Sequence, residues 1–286
     1  MAWMPWETAL KLAAALLAVG VIWRPSGRRA RIVTALCREA ALVMGLYALW
    51  FYLGVIGRTR VDGALERGQG IWDAERALHL PSEAAVQGWF LGHDAVVQFL
   101  NRYYGWMHVP ALVVFLLWLF LRHRDHYPTW RTSLALLTLA CFVIQLMPTA
   151  PPRLFPELGI VDTGRLYGDS VYGALQDPGP AQLSAFPSVH VAWAVLIGMA
   201  AYSVSTSRWR WLAVGHAAMT TLVVVATGNH WWLDGVAAAV ILVLIRAAVL
   251  PVRRLATALA QLSLRQPEVA PGVALANGDG SEPPDG

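Results

Sequence analysis

Residues 210–250 read RWLAVGHAAMTTLVVVATGNHWWLDGVAAAVILVLIRAAVL. Two apolar runs, 210–228 and 231–250, each approach the ~20 residues that cross a bilayer as a helix. A short break near Asn229 parts them, so they read as two membrane helices meeting at a turn. His230 and Asp234 lie at that turn. They are four positions apart and share one helix face. An ionisable pair at the end of apolar segments is costly and needs a reason.

The same reading places further spans at about 8–23, 36–57, 103–121, 131–148 and 188–206. The expected fold class is therefore all-α, a polytopic membrane helix bundle of six to seven transmembrane helices. The first span is short, and tilted or partly interfacial. Composition agrees: the chain is 57% hydrophobic and 14% charged, whereas a soluble domain carries nearer ~25% charged residues. Mean hydropathy is +0.48. Residues 1–265 read as a single membrane domain with its catalytic core at about 100–250. Residues 266–286, without periodicity, read as a disordered cytoplasmic tail. The run Thr8 to Trp23 lacks the basic start and small-residue cleavage site of a leader, so it reads as a retained helix. Cys37 and Cys141 fall in spans and are expected as free buried thiols, too few for a disulfide framework.

Lys11 is the only lysine among 22 basic residues. This arginine bias, with abundant Ala and Gly, suggests a GC-rich bacterial genome. The arginines gather in the loops after spans one, three, five and seven: Arg24 to Arg31, Arg122 to Arg131, Arg208 with Arg210, and Arg253 with Arg254. Alternate loops on one side make that side cytoplasmic. The charge of +4 is thus topological, and no nucleic-acid partner is expected. The loops 58–102 and 149–187 and the break near 229 then lie outside, at the plasma membrane's extracytoplasmic face, with the C-terminus inside.

Helical patterning over 71–101, with a start at Ser82, suggests interfacial amphipathic helices on the outer face, Trp89 and Phe90 dipping into lipid. The Pro- and Gly-rich loop 149–187 is too long for a mere connection and reads as a lid or wall over a site.

Parity brings the chemistry together. Arg153 follows the outer end of span four, and Ser188 and His190 open span five. His230 and Asp234 join spans six and seven. All therefore meet at one face. A carboxylate at Asp234 can accept the Nδ1–H of His230, leaving Nε2 as a nucleophile for phosphorus. His190 is the candidate acid for the leaving group. Arg153 can bind two phosphate oxygens, and Ser188 can add a hydroxyl donor beside a positive helix end. Simpler readings stand beside these: His230–Asp234 as a structural pair, Arg153 as a snorkelling anchor, Ser188 as an N-cap. Tyr104 and His108 either line the pocket or pack the core, and Asn229 is a further pocket candidate. No compact metal motif appears, so no metal and no cofactor is expected.

Pro187-Ser188-Val189-His190 and His230-Trp231-Trp232-Leu233-Asp234 resemble two motifs of the type 2 phosphatidic acid phosphatase superfamily. Two departures are visible. The first motif reads Ala150-Pro151-Pro152-Arg153 with no lysine upstream, and Val223-Val224 stands where the family carries Ser-Arg. This version is similar to the branch containing inositol phosphorylceramide synthases. The resemblance implies His230 as nucleophile, His190 as general acid, Asp234 as orienting group, and Arg153 and Ser188 as phosphate binders. It implies a phospholipid or polyprenyl-phosphate substrate within the bilayer, with water, a lipid hydroxyl or a polyol hydroxyl as acceptor. The alternative is a protein that binds or transports lipid phosphate without catalysis.

Overall fold

The computed structural model describes residues 4–23, 26–57, 62–168 and 180–265. Among them the regular elements are all helical. In chain order they are α1 (Trp6–Ile22), α2 (Arg28–Gly57), α3 (Ala64–Ala77), α4 (Glu83–Gly88), α5 (Asp94–Trp106), α6 (His108–Arg122), α7 (Tyr127–Ile144), α8 (Thr163–Tyr167), α9 (Val189–Val204), α10 (Arg210–Ala226) and α11 (Trp232–Arg265).

Among the described residues three helices are long and apolar enough to cross a membrane: Arg28–Leu49 of α2, α7, and Trp232–Pro251 of α11. The pair α5–α6 makes a fourth if counted as one bent span. Helices α9 and α10 are apolar but shorter. Large apolar side chains such as Leu121, Leu212 and Leu244 are exposed. Apolar helices with apolar outer faces fit a membrane protein.

The expected single span over 103–121 is corrected. The chain breaks at Met107 and α5 and α6 meet at 52°. Pro110 explains it: the ring has no N–H for the Trp106 carbonyl and collides with that carbonyl in a continuous helix. Helix α7 starts four residues before the expected span because Pro128 suits its first turn. Over 71–101 the structure has α3, α4 and the start of α5. Trp89 is 71% exposed, but Val97, Leu100 and Tyr104 of α5 are buried. Cys141 is buried and Cys37 half-buried, both free; the Cys37 side chain lies closer to the surface than expected. The tail 266–286 lies outside the described residues.

The main core joins α6, α7, α9 and α11, with Leu119, Leu137, Leu196 and Leu242 all buried. A second cluster packs Leu100 and Tyr104 of α5 on Val223 and Val224 of α10. A third sits over the end where α10 meets α11, built from Phe155, Ile160, Leu183 and Trp231.

That third cluster packs described parts of the 149–187 loop against Trp231. Trp231 Nε1 donates to Ala150 O at 2.9 Å. Gln87 of α4 donates to Val161 O and Ala226 O and accepts from Val161 N at 2.9 Å. Asn101 of α5 donates to Thr163 O and Gly168 O. Buried amides saturated in this way rigidify the segment they hold. Close approach matters too: a Cβ on Gly68 of α3 would lie 2.8 Å from Ala150 O.

Candidate active site

Local capping delivers the central residues. Helix α10 ends at Ala226, and Gly228 takes φ +68°. Gly228 N donates to Val225 O and Asn229 N to Val224 O, which is the paired hydrogen-bond pattern of a Schellman C-cap. Asn229 and His230 are therefore placed by the end of α10. Helix α11 then begins at Trp232. Asp234, third in the helix, reaches back and accepts Trp231 N at 2.8 Å, the return half of a capping box.

His230 is buried, and its Nδ1 lies 2.8 Å from Ala185 O and 3.2 Å from Asp234 Oδ2. Both neighbours are acceptors, so Nδ1 carries the hydrogen and Nε2 keeps its lone pair. Nε2 is buried with no hydrogen-bond partner among the described residues. Asp234 is fully buried. The shorter of the two contacts is to a backbone carbonyl, which the sequence reading did not foresee. A pairing of Thr149 with Ser184 positions that carbonyl: Thr149 N donates to Leu183 O and Ala185 N to Thr149 O.

His190, in the first turn of α9, has its ring centroid 5.6 Å from that of His230. Tyr104 stacks on His190 at 4.4 Å, and His108 meets it edge-on at 4.4 Å. Both pocket candidates thus abut the second histidine. A small cavity lined by Tyr103, Tyr104, His108, His190 and Thr220 lies here. Tyr104 and His108, four residues apart across the break at Met107, reach the same ring.

Arg153 is 5% exposed, which does not suit a snorkelling anchor. Its backbone N donates to Gly228 O at 2.8 Å, and Nη1 donates to Asn229 Oδ1 at 2.7 Å. Nε lies 3.7 Å from Asp162 Oδ2. Asn229 in turn donates to Thr227 Oγ1. A Cβ on Gly228 would come within 3.3 Å of Arg153 Cβ, so glycine serves both the turn and the approach of the arginine. Ser188 is fully buried, and its Oγ accepts Val191 N at 3.3 Å. It is the N-cap of α9, and its own hydroxyl proton stays available to donate. Ser188 N also donates to Asp234 O at 3.2 Å, which ties α9 to α11.

The structure therefore gathers His230, Asp234, His190, Tyr104 and His108 in one group, with Arg153, Asn229 and Ser188 tied to its backbone. Among the described residues no three His, Cys, Asp or Glu side chains form a metal-binding group. Sequence reasoning missed two contributors. Ala185 acts through its backbone and has no residue-type signature. Glu75 of α3, in a segment read as an interfacial helix, accepts Leu233 N at 2.8 Å.

The family model of the PAP2 superfamily matches residues 69–248, and the chain belongs to that superfamily. The match takes in the later part of α3 and all of α4 as well as the motif-bearing helices. No curated protein and no solved structure matches the chain.

Proposed function

We propose that this PAP2-superfamily chain is a membrane-embedded, metal-independent phosphoryl transferase that acts on a lipid phosphate or phospho-headgroup through a phosphohistidine on His230. The observation that carries the reading is the placement of His230 Nδ1 between two acceptors, Ala185 O and Asp234 Oδ2. Two acceptors hold Nδ1–H and leave Nε2 as the nucleophilic nitrogen.

In the first step Nε2 of His230 attacks phosphorus and the bond from phosphorus to the leaving oxygen breaks. His190 gives that oxygen its proton. Asp234 stabilises the cationic ring that results. In the second step His190, now a base, takes a proton from water or an alcohol. The resulting oxygen displaces phosphorus from nitrogen and returns His230 to its starting state. Arg153, steadied by Asn229, holds phosphate oxygens. Ser188 and the N-terminal end of α9 favour the anion.

Superfamily membership suggests phosphatase or phosphotransferase chemistry. Val223 and Val224, where the family carries Ser-Arg, are buried against Leu100 and Tyr104 and supply no cation. A reduced cation set favours a singly charged phosphodiester over a dianionic monoester. This supports headgroup transfer of the inositol phosphorylceramide synthase type over simple hydrolysis. The donor is then a phosphodiester phospholipid, and the acceptor a lipid or polyol hydroxyl.

Seven apolar segments cross the bilayer, or six if α1 stays at the interface. Helix α9, with 16 residues, is about 24 Å long. It begins below the outer surface, at the floor of the site. Arginine placement puts the site at the extracytoplasmic face of a bacterial plasma membrane, with the C-terminus inside.

Phosphorus NMR of the protein in lipid nanodiscs tests this, with His230→Ala beside it. The panel is phosphatidic acid, a polyprenyl pyrophosphate, and phosphatidylinositol with a lipid alcohol. A new phosphodiester signal with the wild type alone supports transfer, and inorganic phosphate with the wild type alone supports hydrolysis. Equal turnover by His230→Ala removes the phosphohistidine reading. Lipid binding without turnover in either sample favours a binding or transport protein.

A further inference from the structure

Glu75 and Glu83 are both fully buried, although ionised carboxylates are among the groups most costly to bury. They come from α3 and α4, over the start of α11. Glu75 Oε1 accepts Leu233 N at 2.8 Å. Leu233 is the second residue of α11, and its N–H is one of the first-turn donors that lack an intrahelical acceptor. An N-cap side chain normally serves such a donor. The residue at that position, Trp231, has no acceptor in its side chain. Glu75 supplies the missing half of the capping box from another helix, while Asp234 supplies the return half to Trp231 N.

The carboxyl groups of Glu75 and Glu83 share one cation, the Arg76 guanidinium. Two carboxylates cannot hydrogen-bond to each other, since each only accepts, so a bond between these neighbours needs a proton. The charged and titratable groups around them are few. Arg76 of α3 lies 3.6 Å from Glu75 Oε2 and 3.5 Å from Glu83 Oε2. Asp234 and His230 stand at the head of α11, with Asp234 acting on both glutamates by its charge. Arg76 balances one charge. Glu75 Oε2 and Glu83 Oε1 are buried without a hydrogen-bond donor among the described residues, and one proton between the carboxyls supplies it.

We propose that Glu75 and Glu83 share a single proton and together form a positioning device for phosphoryl transfer, capping α11 through Leu233 so that Asp234 and His230 hold their geometry. The part concerning phosphoryl transfer rests on His230 being the nucleophile. The proton-sharing part does not. Burial first, then the neighbouring Glu83 carboxyl, raises Glu75 to about 9. Glu75 therefore keeps its proton near neutral pH. Loss of its proton places a second negative charge near Asp234 and breaks the carboxyl–carboxylate bond.

Glu75→Gln keeps an acceptor for Leu233 N and gives a permanent donor toward Glu83, mimicking the protonated state. Glu75→Ala removes both. On the NMR panel, Glu75→Gln is expected to retain kcat within about 3-fold at pH 7, while Glu75→Ala loses about 10- to 100-fold in kcat with KM little changed. The wild type loses kcat as pH rises through about 9, and Glu75→Gln lacks that alkaline fall.

Infrared difference spectroscopy reads the proton without turnover. The C=O stretch of a protonated carboxyl should be present in the wild type at pH 7, lost on raising the pH past that value, and absent in Glu75→Gln. A missing band, or one unaffected by Glu75→Gln, overturns the shared proton. A band with wild-type kinetics in both variants overturns the positioning role. A band together with full activity in His230→Ala overturns the phosphohistidine reading and leaves the shared proton standing.

Discussion

Asp234→Asn separates two ways of holding a nucleophilic histidine. If the carboxylate alone set the tautomer of His230, its amide would allow the wrong nitrogen to carry the hydrogen, a loss of about 10⁴ in kcat for a triad of that kind. Here Ala185 O lies 2.8 Å from Nδ1, closer than Asp234 Oδ2 at 3.2 Å. The carbonyl keeps the hydrogen on Nδ1 after the substitution. What disappears is the charge that faces the ring as it becomes cationic. A hydrogen bond to a charged group contributes about 1.5–3 kcal/mol. At about 1.36 kcal/mol per factor of ten, kcat/KM should fall roughly 10- to 150-fold. The amide oxygen still accepts Trp231 N, so thermal unfolding should shift little. The assay is turnover of whichever donor in the NMR panel reacts, with a melting curve on the same sample. A loss near 10⁴ with an unchanged melt would show that Ala185 does not hold the tautomer. No loss would make Asp234 a cap for α11 and nothing more.

Three further outcomes are expected. His190→Ala should lower kcat by about 10²–10⁴ for a lipid alkoxide leaving group, and far less for a nitrophenyl phosphate, whose leaving group needs no proton; equal losses on both would remove His190 as the acid. Arg153→Lys should cost about 10-fold or more in kcat/KM, because a point charge cannot replace a fork already oriented by Asn229, and Asn229→Ala should show a smaller loss in steady-state kinetics. Gly228→Ala should destabilise the protein by about 1–2 kcal/mol, from its φ of +68° before any clash with Arg153, read as a lower unfolding temperature in detergent.

Where the sequence reading erred, it erred in identifiable ways. Pro110 marked the break that separates α5 from α6, but hydropathy averages over one proline and reports a continuous run. The 71–101 segment showed helical periodicity, which is a property of one chain segment. It does not show that α3 and α4 lie over the start of α11 with Glu75 and Glu83 buried. Ser188 carried two readings, cap and phosphate donor. The structure shows that its oxygen caps α9.

By itself the sequence determined what depends on neighbours along the chain. Apolar length marked the membrane-compatible helices, and Thr227-Gly228-Asn229 ended α10. The four-residue spacing kept His230 and Asp234 close, although His230 precedes α11 and Asp234 reaches back to it instead of sharing a helix face. The site also needs contacts between residues 45, 76 and 158 positions apart: His230 with Ala185, Arg153 with Asn229, and Leu233 with Glu75. Two of these three use a backbone group, which every residue type carries equally. Helix packing, not any local pattern, decides which backbone group faces which side chain. Only the tertiary structure could therefore show that a carbonyl orients His230 and that a carboxyl from α3 caps α11.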